Sequence, residues 1–128
     1  MRGIAVIATI GAALLVAACA GTPLLGGGPW RGPSLAQMQQ MCGEQPVDFG
    51  QYASAVHSAT FDALVASRGR RVSHEQFCSF QAALAQQYAK SGTSSDPQAR
   101  AEWIRFLNDQ RATALSWRAF VDPTLRAG

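Results

Sequence analysis

Residues 96–121 read DPQARAEWIRFLNDQRATALSWRAFV, the longest helical segment that the sequence predicts. Asp96 is a favourable N-cap, and Pro97 suits the first turn because its missing N–H would have no partner there. The segment runs to about Val121. Its apolar side chains cover more than the single stripe that a surface helix buries. They are Trp103, Ile104, Phe106, Leu107, Ala114, Leu115, Trp117, Phe120 and Val121. We therefore expect this helix to lie centrally or to expose part of an apolar side.

Three further helices are predicted upstream, from apolar residues spaced by three and four and from residues that cap helix ends. Ser34 with Gln37, and Ser73 with Gln76, have the spacing of capping boxes. The predicted spans are 34–43, 48–68 and 73–92, of which the second begins at Asp48. No segment shows the alternation of a β-strand. The sequence therefore predicts an all-α fold, a small bundle of three longer helices plus one short N-terminal helix.

The N-terminal residues have the layout of a secretory signal. Arg2 supplies a positive start, residues 4–16 carry no charge, and small residues precede a cysteine in the string VAAC at 16–19. This string resembles the lipobox of bacterial lipoproteins, and the resemblance covers residues 1–21. It implies that the signal is cut before Cys19, which then carries the acyl chains of a membrane anchor.

Two other interpretations of this segment remain open. A membrane-spanning helix needs about 20 apolar residues, more than the uninterrupted run provides. A plain secretory signal cut at Ala18-Cys19-Ala20 would leave the protein without lipid. In Gram-negative lipoproteins an Asp directly after the cysteine commonly retains the protein in the inner membrane, and here that position is Ala20. The resemblance therefore implies anchoring in the outer membrane, with the protein facing the periplasm.

The chain divides into three predicted parts. Residues 1–18 form the lipoprotein signal peptide, and residues 34–128 form the helical domain. Between them, residues 19–33 hold the lipidated cysteine and a tether rich in glycine and proline. Its Gly26-Gly27-Gly28-Pro29 run disfavours both helix and packed strand. A flexible tether of this kind would let the domain stand off the bilayer.

Export also bears on the two remaining cysteines, Cys42 and Cys78. An even pair in a small domain of an oxidising compartment usually forms a disulfide. We predict a Cys42–Cys78 bond that holds the short first helix onto the bundle. Two separate buried thiols are the alternative. A metal pair is disfavoured because no metal-binding spacing accompanies the two residues.

Charge and polar residues argue against several classes of function. The net charge of +3 is too weak to indicate a nucleic-acid partner. His57, His74 and Glu75 could converge on a metal, but their spacing carries no site signature. Ser73-His74-Glu75 contains the letters of a catalytic triad, yet three adjacent residues at a helix start cannot form the relay. We expect no enzyme activity, no metal and no cofactor.

The last helix supplies the predicted partner surface. Trp103 and Ile104 lie on different sides of it, so that one side can pack while the other stays exposed. Exposed aromatic side chains beside arginines are typical of protein interfaces. We expect Trp103, Arg105 and Phe106 to contact a partner. The cluster Arg68, Arg70 and Arg71 is interpreted as a solvated loop or as a contact for anionic lipid or an acidic partner.

Together these features predict a membrane-anchored periplasmic lipoprotein. It would act as a non-enzymatic protein-binding or accessory module of an envelope assembly. The alternative is an immunity or inhibitor protein against a cell-wall-degrading toxin. This alternative rests on an analogy of size and cellular location, and no sequence motif supports it. Neither a nucleic acid nor a small-molecule substrate is expected.

Overall fold

The computed structural model describes residues 32–124 and folds them into four α-helices. Their bounds are α1 Leu35–Gln40, α2 Ala53–Arg68, α3 His74–Gln87 and α4 Pro97–Val121. A 3-10 turn, Gly50–Tyr52, precedes α2, and a π-helical segment, Tyr88–Gly92, continues α3. No strand occurs in this part of the chain. The predicted all-α bundle of three longer helices and one short helix is therefore confirmed.

Two of the helices begin with the predicted capping boxes. At α1 the backbone N–H of Gln37 donates to Ser34 Oγ (3.1 Å), and the N–H of Ser34 donates to Gln37 Oε1 (2.8 Å). At α3 the same exchange joins Ser73 and Gln76, at 3.0 and 2.8 Å. Each box satisfies two N–H groups that would otherwise lack intrahelical partners. These starts were predictable because the chemistry lies within four consecutive residues.

The start of α2 differs from the prediction. The sequence placed it at Asp48, whereas the α-helix begins at Ala53. Asp48 Oδ1 instead accepts the backbone N–H of Gly50 (2.8 Å) in a turn. Gly50 has a φ of 57°, a left-handed conformation in which an α-helix cannot continue. The chain therefore passes through the 3-10 turn before α2 can form.

The end of α3 is also more complex than the predicted stop at Gly92. Regular α-helical geometry ends at Gln87, and the chain continues as the π-helical segment to Gly92. A Cβ atom at Gly92 would overlap the Tyr88 ring, so any other residue here would require the ring to move. Glycine ends the segment here by allowing close packing, since its φ is not left-handed.

The core lies between α4 and the earlier helices, and α4 packs most extensively against α2. Trp103 is at its centre, with no exposed surface. Its indole stacks on Phe49 (6.2 Å between ring centroids) and meets Tyr52 and Tyr88 edge-on, at 5.6 and 5.1 Å. Aromatic rings bury large apolar areas and favour such geometries. This cluster joins α4 to the 3-10 turn and to the π-helical segment.

A disulfide attaches the turn after α1 to α3. Cys42 and Cys78 are bonded, with S–S 2.05 Å and Cα atoms 5.5 Å apart. Beside the bond, Gln81 Nε2 donates to the backbone carbonyl of Met38 (2.9 Å). The predicted Cys42–Cys78 disulfide is thus confirmed, together with its place between the short helix and the bundle. Because isolated short helices are marginal in water, this attachment supports α1.

Candidate functional site

The lipid-attachment prediction at Cys19 lies outside the residues that the structure describes, as does most of the predicted tether. No helix between residues 32 and 124 is both long and apolar enough to span a bilayer. Three residues of α4, Trp103, Arg105 and Phe106, are the predicted contact residues within the helical bundle.

Trp103 was predicted to contact a partner, and the structure shows that this is wrong. Its side chain has no exposed surface and forms the centre of the aromatic cluster. Phe106 is half-buried and packs against the core as well. Arg105 is exposed, and its contact with a partner stays a prediction. Helical periodicity identified two apolar sides of α4, and the side that carries Trp103 faces inward because it packs onto α2.

The outward apolar side of α4 is the one that begins at Ile104. Ile104 is 42% exposed and Leu115 is 49% exposed. The two residues are about three helical turns apart and point in nearly the same direction. Asn108 and Arg111 lie between them on the same side, and both are exposed. We call these four residues the 104–115 face.

A groove lies between α2 and α4, beside the part of this face from Asn108 to Leu115. Its volume is about 330 Å³. It is lined by Ser58, Ala59, Asp62, Asn108, Arg111, Ala112 and Leu115. Apolar, acidic and basic groups thus share one concave surface. Such a groove can receive a protruding side chain from another protein and pair its charge.

An ion pair stiffens the α2–α4 packing beside this groove. Arg118 Nη1 donates to Asp62 Oδ1 at 2.8 Å, and its guanidinium lies 5.5 Å from the centre of the Phe61 ring. Arg118 Nε also lies 3.4 Å from Asp122 Oδ2, within ion-pair range but without hydrogen-bond geometry. These contacts link Asp62 on α2 to the end of α4. Asp62 is therefore held in place where it borders the groove.

A hydrogen-bonded turn at the end of α4 perturbs one carboxyl group. The pKa of Asp122 lies below its ordinary value, chiefly because the Thr124 hydroxyl donates to Asp122 Oδ1 at 2.6 Å. The Thr124 backbone N–H and the Arg118 guanidinium add to this effect. All three favour the charged carboxylate. The lowered pKa of Asp122 is therefore explained by the hydrogen-bonded turn at the end of α4, and it does not indicate a catalytic acid.

A second groove lies between α3 and α4, with a volume of about 480 Å³. Phe80 and Trp117, whose ring centroids are 5.7 Å apart, form its apolar wall. Its polar rim includes Glu75, Gln76 and Gln110. This groove is larger than the first, but the exposed apolar side chain of Leu115, which borders the first groove, does not border this one.

The arginine cluster lies on the connection between α2 and α3. Arg68, Arg70 and Arg71 are all exposed. In residues 32–124 no carboxylate lies within 4.0 Å of any of them. The Arg71 guanidinium instead lies over the Phe120 ring, 3.8 Å from its centre, in a cation–π contact. Part of the cluster is therefore used to fasten this loop to the end of α4.

The two histidines have separate environments. His57 Nε2 is 3.0 Å from the backbone carbonyl of Pro33, and its ring stacks on Phe61. These contacts give His57 a packing role in α2. His74 Nε2 lies 3.5 Å from Cys78 Sγ. The structure thus does not bring His57, His74 and Glu75 together as the metal group that the sequence left possible.

Sequence reasoning missed the group that the structure does assemble. Ligand atoms of Cys42, His74 and Cys78 all lie within 4.8 Å of one another. In the described part of the chain this is the one such group of three. His74 and Cys78 are four residues apart on α3, so their spacing was a usable signal. Cys42 joins them only through tertiary structure.

Comparison with protein-family models, with curated proteins and with solved structures found no match to this chain. Two places on the bundle could bind a partner or a ligand. One is the 104–115 face with its groove, and the other is the cluster of Cys42, His74 and Cys78. Ser73 Oγ is engaged in capping α3.

Proposed function

We propose that this protein is a lipid-anchored envelope lipoprotein whose helical domain binds another protein through the 104–115 face. The observation that carries the proposal is the exposure of Ile104 and Leu115 on one side of α4, with the α2–α4 groove beside Leu115. Removing solvent-exposed apolar groups from water is favourable, so their burial against a partner contributes free energy to association. A groove beside them provides shape for recognition.

The distribution of exposed apolar side chains supports this choice of surface. Four large apolar side chains are exposed within residues 32–124, and three of them belong to α4. Single exposed apolar residues are normal on proteins. Ile104 and Leu115 differ because they share one helix face and are separated by roughly 16 Å along the axis. That span matches about three turns of a helix docked along α4.

Charged groups beside the face can orient a partner. Arg105 and Arg111 are exposed, and neither has a carboxylate within 4.0 Å in the described residues. Arginine is enriched at interfaces because its planar guanidinium forms paired bonds with carboxylates. Asp62 borders the same groove with the opposite charge. The partner we expect therefore carries an acidic side chain toward Arg111 and an apolar ridge toward Leu115.

The anchor rests on the N-terminal sequence and on the disulfide. Residues 16–19 have the lipobox pattern, with Cys19 as the acylated residue. The Cys42–Cys78 bond supports export, since disulfides persist in oxidising compartments such as the periplasm. Two or three acyl chains hold a protein stably on a bilayer, whereas one gives only marginal residence. The outer membrane is the proposed site because Ala20 follows the cysteine.

The anchor is tested by mass spectrometry of the full chain expressed in a Gram-negative host. We expect an N-terminal Cys19 that carries acyl chains in the membrane fraction. Cys19→Ser should abolish acylation and either release the chain from that fraction or leave its signal unprocessed, whereas the neighbouring change Ala20→Ser should leave acylation intact. A mature protein that begins elsewhere and carries no lipid would contradict the anchor.

The binding surface is tested by site-specific photocrosslinking in cells that naturally express the chain. A photoreactive phenylalanine analogue replaces Ile104 or Leu115 in turn. Met41 is a matched control because it is exposed to a similar degree, 40%, but lies just beyond α1. We expect the same crosslinked protein from both α4 positions and none of it from position 41. Crosslinks that are equal at all three positions, or absent from α4, would contradict the proposal.

A further inference from the structure

The disulfide has an imidazole beside it. Cys78 Sγ lies 3.5 Å from His74 Nε2, and Cys42 Sγ is within 4.8 Å of a ring nitrogen of His74. His74 is exposed and both cysteines are half-buried, so solvent reaches the group. Two sulfurs and one imidazole nitrogen therefore converge at an accessible point. This arrangement exceeds what attachment of α1 requires, because the covalent bond alone provides that attachment.

The positions of the three side chains follow from the fold. His74 is the first residue of α3 and Cys78 lies one turn later, so both point to the same side of the helix. Cys42 lies in the turn after α1. The backbone N–H of Cys42 donates to the Gln39 carbonyl at 3.1 Å. Gly43 follows with a φ of 73°, which allows the chain to turn away at once. The disulfide is thus built from one rigid helix and one tight turn.

The donor set suits Zn²⁺ once the disulfide is reduced. Zn²⁺ favours thiolate sulfur at about 2.3 Å and imidazole nitrogen at about 2.0–2.1 Å in tetrahedral geometry. These lengths place a sulfur and a nitrogen ligand about 3.6 Å apart. The separation of Cys78 Sγ and His74 Nε2 is 3.5 Å. Two cysteines and one histidine complete a known type of zinc site that leaves the fourth position to water.

We propose that reduction of the Cys42–Cys78 disulfide creates a Zn²⁺ site with Cys42, Cys78 and His74 as its ligands. A dithiol reductant supplies two electrons and two protons, breaks the S–S bond and becomes a disulfide itself. Zn²⁺ then displaces the two thiol protons to solvent, and a water fills the fourth position. The oxidised chain cannot bind in this way because its sulfurs are bonded to each other. The cluster is thus a metal site controlled by redox state.

A neighbouring amide supports Cys42 as a ligand. Gln81 Nε2 lies 3.3 Å from Cys42 Sγ and also donates to the Met38 carbonyl at 2.9 Å. Gln81 is buried, so its orientation is fixed by these two contacts. An N–H group directed at the sulfur stabilises a thiolate and holds it toward the metal. Gln81 is therefore a positioning residue for this site, and it does not touch the metal.

The proposal is tested on the purified full chain, in detergent and without oxygen, with Co²⁺ and Zn²⁺ as probes. After reduction by a phosphine, we expect one Co²⁺ per chain, with thiolate charge-transfer absorption and the visible bands of tetrahedral Co²⁺. Zn²⁺ should displace the Co²⁺. His74→Ala should weaken binding by at least about tenfold, whereas His57→Ala, the matched control, should change it less than about twofold. The oxidised chain should bind neither ion tightly.

Three results would overturn the inference. They are equal binding by the oxidised chain, Co²⁺ spectra without thiolate bands, and an unchanged affinity in His74→Ala. Helical circular dichroism is recorded in parallel, since reduction removes the attachment of α1. Should reduction lower the helical signal, Zn²⁺ must restore it in the natural chain. Failure to restore it would also overturn the inference.

Discussion

Replacement of Trp103 tests whether this side chain belongs to the core or to a contact surface. Its side chain has no exposed surface and packs among three other aromatic rings. Trp103→Ala therefore leaves a large cavity at the point where α4 joins the rest of the fold. A buried Phe or Trp replaced by Ala costs about 3–5 kcal/mol of unfolding free energy. Since domains of this size have about 5–15 kcal/mol in total, the change removes a large share of the unfolding free energy.

A second substitution at the same position refines the expected magnitude. Within residues 32–124, Trp103 Nε1 is buried and has no hydrogen-bond partner. Trp103→Phe thus removes no hydrogen bond and keeps one aromatic ring in the cluster. We expect it to cost about 1–2 kcal/mol, clearly less than Trp103→Ala. Trp103→Ala should lose more unfolding free energy than Trp103→Phe because it removes more packing, and neither variant loses a hydrogen bond.

Urea denaturation of the domain at neutral pH measures both losses, with the midpoint and the slope fitted separately. Thermal melts provide a check, because about 1 kcal/mol shifts the midpoint by roughly 4–8 °C in domains of this size. Trp103→Ala should therefore melt at least about 12 °C below the natural chain. A loss under about 1 kcal/mol for Trp103→Ala, with unchanged slope, would refute its placement in the core.

Three further predictions concern stability and ionisation. Reduction of the Cys42–Cys78 bond, which spans 36 positions, should lower the unfolding free energy by up to about 4 kcal/mol in the chain-entropy model. Urea denaturation with and without reductant measures this loss, and an unchanged unfolding free energy would contradict the prediction. Thr124→Ala should raise the pKa of Asp122 toward its ordinary value, as followed by carboxyl NMR titration, because the strongest stabilising hydrogen bond is lost. In the natural chain the lowered pKa stabilises the folded form above the ordinary pKa of Asp, and that contribution disappears as the pH falls through the lowered value. Ser73→Ala should cost about 1 kcal/mol by urea denaturation, since the cap of α3 is removed; a loss below about 0.3 kcal/mol would show that the cap is dispensable.

Local chemistry explains why much of the fold was predictable. The capping boxes at Ser34 and Ser73 each act within four residues, and so does Asp96, whose Oδ1 accepts the N–H of Gln98 at 3.1 Å. The start of α2 was misplaced because Asp48 has the side chain of a helix cap, but the next turn is set by the left-handed Gly50. Sequence alone does not reveal which of two local options the surrounding packing selects.

The sequence predicted an exposed apolar side on α4 at Trp103, but the structure buries that residue and exposes Ile104 instead. Trp103 and Ile104 are adjacent, and the apolar spacing fits either side of α4 equally well. The difference arises from contact with Phe49 and Tyr88, two residues far away in the sequence. Tertiary contacts of this kind determine which apolar side is inward. The exposed side became identifiable only after α4 was placed against the rest of the bundle.

The group of Cys42, His74 and Cys78 illustrates another limit of sequence reasoning. The cysteine pair was predictable from the count of cysteines and from the export signal. The position of His74 beside it depends on the helical register of α3 and on the turn that presents Cys42. Metal-binding patterns in sequence are recognisable when the ligands are close together in the chain. Here 36 positions separate the two cysteines.

The central claim is that the 104–115 face binds a protein partner. The most direct measurement is the affinity of the purified natural chain, Leu115→Ala and Met41→Ala for the protein captured by crosslinking. Leu115→Ala should weaken binding by at least about 30-fold, or 2 kcal/mol, as expected for a side chain that a partner buries and that contributes strongly to binding. Met41→Ala should bind within about twofold of the natural chain, and both variants should melt within a few degrees of it. Equal affinities for all three proteins would contradict the claim.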